Sequence, residues 1–179
     1  WQVVVGEYAK MGKEIKITTI PYEFKGFMGM RNFIIQDSEG RKLAWANSNW
    51  THLDISTGLP ARLTPADTDN YVLGEKMEMD YAPRKIKLPE DMIAQEAFTV
   101  QKHHLDTNHH CQYVCMAEDF LPESFKIYQM RAEYKMQAKL GDVICPKVKT
   151  ETDKVVVSLD NIEGKAYAIV EFLKKEGDI

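Results

Sequence analysis

Cysteine is scarce: Cys111, Cys115 and Cys145 are the three in 179 residues. An odd number at spacings that match no disulfide or metal framework points to free thiols in a reducing compartment, and the cytoplasm is the expected location. No apolar run approaches the roughly 20 residues that a membrane-crossing helix needs. The N-terminus carries no basic region followed by an apolar segment, so a secretory leader is not expected either. Positive charge is also short, with 23 Lys and Arg against 27 Asp and Glu and a net charge of −4. The basic residues are scattered, without the concentrated footprint of a nucleic-acid binder. Neither nucleic acid nor a membrane is an expected partner. There is no Gly-x-Ser-x-Gly elbow, no phosphate-binding glycine loop, no dinucleotide fingerprint and no His-Glu-x-x-His. Nucleotide chemistry therefore lacks support.

What the chain does have is strand-forming sequence. Hydrophobic residues make up 44%, enough for a real core. Trp1–Val5 and Glu14–Ile20 read as antiparallel strands separated by Gly12, and residues 30–37 and 43–50 flank the turn-forming Asp37-Ser38-Glu39-Gly40. Residues 57–96 are rich in Pro, Asp, Thr and Gly, with Pro60, Pro65, Pro83 and Pro89 breaking regular structure, and read as a linker holding at most a helical turn. Residues 97–103 resume a strand, 113–120 form a helix closed by Pro122, and four strands follow at 126–136, 143–149, 155–159 and 166–173. The expected division is a first half at 1–56, a linker at 57–96 and a second half at 97–179.

The halves echo each other. The stretch from Glu7 through Gly12 to Ile15 is matched by that from Glu133 through Gly141 to Ile144, and Asp37 to Ala44 by Asp160 to Ala168. The order of strand, glycine turn, two strands, acidic-glycine hairpin and strand recurs, which is the mark of a duplicated unit. In the second copy a helix precedes these strands. By analogy, a preceding strand and helix of order 50 residues are expected ahead of Trp1, which is itself not an initiator methionine.

The densest chemistry lies at residues 103–111, His-His-Leu-Asp-Thr-Asn-His-His-Cys, with four of the five histidines. In an extended strand, alternate side chains share a face, so His104, Asp106, Asn108 and His110 would point together while His103 and His109 face away. Three readings stand beside one another: a hydrolytic site, a divalent-ion site on His104, Asp106 and His110, and polar groups that cap a strand-to-helix junction. Cys111 and Cys115 read either as nucleophiles based by His110 or as core thiols. His52, isolated at a strand end, reads as structural.

A duplicated unit of one helix wrapped by an antiparallel sheet, with Asp106-Thr107-Asn108-His109-His110 between strand and helix, resembles the acyl-acyl-carrier-protein (acyl-ACP) thioesterases. The likeness also rests on Met11-Gly12-Lys13-Glu14-Ile15, on Phe24 through Phe33, on Leu43 through Trp50 and on Glu133-Tyr134-Lys135. It implies an α+β tandem (double) hot-dog fold, with the first helix missing from the chain. The implied activity is hydrolysis of the thioester joining a fatty acyl chain to the carrier-protein phosphopantetheine, releasing free fatty acid in fatty acid biosynthesis. The implied partner is acyl carrier protein, no metal or organic cofactor is called for, and a homodimer is compatible. In such enzymes the residues matching Asn108 and His110 position and deprotonate a water or assist the attack, and that matching Asp106 orients the histidine. A neutral imidazole with a pKa near 6.5 can take a proton at cytoplasmic pH, and the N-terminus of the following helix offers N–H groups to an oxyanion.

This chain departs from the family pattern twice. Members place Val-Asn-Asn between the motif histidine and the helix, whereas His110 runs directly into Cys111-Gln112-Tyr113. The acidic position one strand later falls at Gln137, with Ala138 next to it, which excludes a cysteine nucleophile there. Gln137 can hold a water but cannot act as a base, which leaves proton transfer to His110 or Asp106. Phe24 to Phe33, with Met28 and Met30, reads either as an acyl tunnel or as ordinary core. A hot-dog hydrolase of acyl-coenzyme A and a non-catalytic acyl-binding module are the alternatives. Lys25 and Arg31 read as contacts for an acidic carrier protein or as a solvated face.

Overall fold

The computed structural model describes residues 1–175, and the chain forms two compact units, Trp1–Ala82 and a second beginning at Pro83. The first unit is built on β1 (Gln2–Val5), β2 (Ile15–Lys25), β3 (Met28–Asp37) and β4 (Lys42–Thr51). They pair antiparallel in the order β2-β3-β4-β1. β2 runs on through Pro21, where the sequence suggested an end. The register shifts between Pro21 and Glu23, and within this unit β2 pairs on one side only, so the missing proline N–H costs no ladder bond. Gly26, at φ +64°, turns the chain tightly from β2 into β3.

Residues 77–82 lie across one face of this sheet and are tied down by buried amides. Asn32, fully buried, donates to the Ala46 carbonyl at 3.2 Å and accepts from the Met77 N–H at 3.0 Å and the Tyr81 hydroxyl at 3.2 Å. Gln2 bridges the Asp80 carbonyl at 2.8 Å and the Ala82 N–H at 2.9 Å. Each bond meets a demand that would otherwise leave a polar group stranded in the interior. The short helix α1 (Pro65–Thr68) falls inside the expected linker, and the Asp67 carboxylate caps it by accepting the Thr64 N–H at 2.8 Å. His52 is structural in its contacts, with Nδ1 3.1 Å from the Ala61 carbonyl oxygen.

The second unit holds α2 (Tyr113–Glu118), β5 (Ile127–Tyr134), β6 (Val143–Thr150), β7 (Lys154–Asp160) and β8 (Ala166–Lys174). The strand order is β6-β7-β8-β5, again antiparallel, and Ile93–Ala94 and Phe98–Thr99 both pair with β6. The strand expected over 97–103 shrinks to those two residues, because Lys102–His104 coil into a 3₁₀ turn. Val155, Val157, Leu159, Val170 and Phe172 are fully buried on the face where α2 packs against β7 and β8. Ile86 and Met92 cover Val156 and Ile169 on the other face. Among the described residues no helix is long and apolar enough to cross a membrane.

The internal repeat is borne out in the pairing registers. Phe33 pairs with Thr19 and Ala46, and Ala46 with Val3; Val157 pairs with Val148 and Val170, and Val170 with Ala132. Gly12 and Gly141, at φ +80° and +90°, close equivalent turns. Two pairings read from the sequence shift. Asp37 corresponds to Asn161 rather than Asp160, since these two residues begin the same turn. Glu133 corresponds to Val4 rather than Glu7, because Val3 to Thr19 and Ala132 to Val148 are equal spans in the two registers.

Candidate active site

The motif does not lie in an extended strand. Leu105 and Cys111 form an isolated antiparallel bridge, and the chain reverses between them. The Asp106 N–H donates to the His110 carbonyl at 2.9 Å and the His109 N–H to the Asp106 carbonyl at 3.0 Å. Asp106 Oδ1 accepts the N–H groups of Asn108 at 2.8 Å and His110 at 2.9 Å. An aspartate at the first position of such a turn offers its backbone a local acceptor, and this competes successfully with strand pairing. The expectation that His104, Asp106, Asn108 and His110 share one face is therefore corrected. His104 sits before the reversal, its Nδ1 accepting the Gln101 N–H at 3.1 Å and its ring packed on Phe98. No group of three His, Cys, Asp or Glu among the described residues is arranged to hold a metal ion.

The chain passes directly from His110 into Cys111, which bridges Leu105, and on into α2. The Gln112 N–H is taken by the His104 carbonyl at 2.9 Å. Tyr113, the first residue of α2, then anchors the segment that follows β5. Its hydroxyl accepts the Ala138 N–H at 2.5 Å and donates to the Met136 carbonyl at 3.1 Å. Cys111 Sγ donates to the Ala138 carbonyl at 3.4 Å. These bonds bring Gln137 to the turn, where its Nε2 donates to the His109 carbonyl at 3.3 Å. Asp106, His109 and Gln137 thus line one hollow of about 590 Å³, with Lys102, Lys139 and Leu140 around it.

Hydrogen bonds from the His110 and Asn108 N–H groups hold the Asp106 carboxyl below its ordinary range, helped by the nearby histidines. Its second oxygen lies 4.0 Å from His110 Nδ1, a charge contact longer than a hydrogen bond. The side chain of His110 is 64% exposed, and Asn108 is exposed as well. Cys111 is buried, and burial pushes its thiol up, which fits a core thiol rather than a nucleophile. Cys115 is exposed, contrary to the core reading, with Sγ 3.7 Å from Gln112 Oε1. Reading from sequence alone missed Tyr113 as the anchor and set His109 on the wrong side. The second could have been found from Asp37-x-x-Gly40 and Asn161-x-x-Gly164, which share their spacing with Asp106-x-x-His109.

In the first unit, Phe24, Met30, Phe33, Trp50 and Tyr71 line a hollow of about 500 Å³. Phe24 meets Tyr71 edge-on at 5.4 Å, and Trp1 stacks on Phe33 at 5.1 Å. Met28, expected with them, is not part of its lining.

The recurrence of one strand order in both units, with a helix on the sheet face of the second, makes this a protein of double hot-dog fold. Residues 1–71 match the family described as "Acyl-ACP thioesterase N-terminal domain", so the likeness to acyl-ACP thioesterases read from the sequence is borne out. No curated protein sequence matches the chain. Among solved structures it is similar to an acyl-ACP thioesterase from Bacteroides thetaiotaomicron, with a TM-score of 0.83 at 16% identity over 97% of this chain and 74% of that one. The 12:0-ACP thioesterase from Umbellularia californica gives 0.82 at 16% identity over 97% and 72%. An acyl-CoA thioesterase II from Mycobacterium marinum gives 0.54 at 9% identity over 99% and 80%. At these identities the structures speak for the fold.

Proposed function

We propose that this protein is a thioester hydrolase that releases free fatty acid from acyl-ACP, acting in fatty acid biosynthesis in the cytoplasm. The match of residues 1–71 to the acyl-ACP thioesterase N-terminal domain carries this reading. In it, His110 takes a proton from water as the oxygen attacks the thioester carbonyl. The tetrahedral intermediate collapses with loss of the phosphopantetheine thiolate, which recovers that proton, and a fatty acid leaves. Asp106, held anionic by the turn, stabilises the imidazolium, Asn108 positions the water, and Gln137 holds it by hydrogen bonding without acting as a base. No cofactor takes part. The aromatic hollow of the first unit is read as an acyl-binding surface, since flexible and aromatic apolar side chains suit an alkyl ligand.

The test is turnover of acyl-ACP by the wild-type chain and a His110→Ala variant. The variant is expected to lose on the order of 100-fold or more in kcat, the usual scale of general-base catalysis. Unchanged turnover would remove His110 from the mechanism. Faster release from acyl-coenzyme A than from acyl-ACP would reassign the substrate.

A further inference from the structure

The same five-residue turn is built three times, at 37–41, 106–110 and 161–165. In each, the first residue's N–H and carbonyl pair with the fifth and fourth residues, as in Asp37 N–H to Arg41 at 3.1 Å and Asn161 N–H to Lys165 at 2.8 Å. In each, its side-chain oxygen accepts two further N–H groups: those of Glu39 and Arg41, of Asn108 and His110, and of Glu163 and Lys165. The fourth position is left-handed every time. Gly40 and Gly164 fill it at φ +81° and +77°, and His109 fills it at φ +61°. His109 is the only non-glycine residue with positive φ among those described. Histidine tolerates this region better than most side chains, yet glycine meets no penalty there. The turn itself does not ask for a histidine.

A hollow lies beside the middle turn. His109 lines that hollow together with Asp106 and Gln137, and the Gln137 amide fixes the His109 carbonyl at 3.3 Å. His110 is not part of the lining. We propose that His109 occupies the strained position as a substrate-contacting residue, its imidazole hydrogen-bonding the polar thioester-bearing arm of the substrate in this hollow. Strain kept at a single site where two sibling turns avoid it marks a position where the side chain serves a ligand. The inference rests on the proposed hydrolase reading, in which Asp106 and Gln137, both lining this hollow, belong to the site that acts on the thioester.

His109→Gly is the decisive variant, because glycine already serves this turn at two other places and the chain should fold at least as well. The expected result is a Tm equal to or above wild type, a KM for acyl-ACP raised tenfold or more and a kcat within twofold. His109→Asn, which accepts left-handed backbone and keeps a hydrogen-bonding group, should recover most of the loss. Binding of a non-hydrolysable acyl-pantetheine amide, followed by calorimetry, should weaken by the same factor in the glycine variant. A glycine variant with a raised Tm and unchanged KM and Kd would overturn the proposal, as would a fall in kcat at unchanged KM. If the wild-type chain binds the amide but turns over no thioester, the hydrolase reading fails while the ratio of binding constants still decides the role of His109. No binding of the amide by wild type would overturn both.

Discussion

The two units carry one plan with different loads. Register for register, Val155, Val157, Leu159, Val170 and Phe172 in the second unit correspond to Arg31, Phe33, Ile35, Ala46 and Ser48 in the first. The second set is fully buried, whereas Arg31, Phe33 and Ile35 are only half-buried. Ile17, at 64% exposure, stands where the second unit has the buried Pro146. Strand pairing and the Asx-started turns therefore specify the sheet in both units, while the composition of one face decides what is laid on it. Each fully buried large aliphatic or aromatic side chain contributes about 1.5–3 kcal/mol, so the second unit owes more of its stability to this face. In the first unit an aromatic hollow takes its place on this face, while the buried amides of Asn32 and Gln2 lie on the opposite one.

Truncation at equivalent positions should expose this contrast. Phe172→Ala is expected to cost about 3–5 kcal/mol by denaturant unfolding, since it removes a fully buried ring. Ser48→Ala should cost about 1–2 kcal/mol, the scale of its bonds to the Arg31 carbonyl at 3.2 Å and from Trp50 Nε1 at 2.7 Å. Equal costs would break the comparison. Asn32→Ala should lose about 1–3 kcal/mol, because it strands the Met77 N–H, while the Tyr81 hydroxyl keeps its bond to the Met77 carbonyl at 2.6 Å. A near-neutral Asn32 variant would mean that the segment over 77–82 is held by something other than the amide network.

The three turns sharpen the comparison at smaller scale. Gly164→Ala should cost about 1 kcal/mol, because it places a Cβ at positive φ. Acid should separate the turns by chemistry. Burial pushes Asp37 up but is outweighed by hydrogen bonds from Arg41 and Glu39, so both Asp37 and Asp106 titrate below the ordinary carboxyl value of about 3.9. A depressed folded-state pKa gives stability that is complete above that ordinary value and lost as pH falls through the lowered one. Amide shifts of Arg41 and His110, which donate to the titrating carboxylates, should move in that acid window, and that of Lys165 should move far less, because Asn161 carries no proton to gain. Parallel movement at all three turns would contradict the account.

Much of this was legible beforehand. β-branched runs and glycine turns are local signals, so the eight long strands, α2 and the duplication could be read from the chain. The geometry of the motif could not, because it depends on a contest between strand pairing and the Asp106 carboxylate as a local acceptor. The same residues in a straight strand would have put His104 on the site and His109 off it. The shared face of Asp106, His109 and Gln137 arises from the anchoring of Ala138 by Tyr113 and Cys111, contacts made across more than 20 positions. Alternation along one strand does not encode them.

Release of free fatty acid from a panel of acyl-ACP substrates, measured side by side for wild type and His110→Ala, bears most directly on the whole account. The expected result is multiple-turnover release by wild type, faster than from the matching acyl-coenzyme A thioesters, and its loss in the variant. No release from any acyl-ACP, or equal release by both proteins, would contradict it.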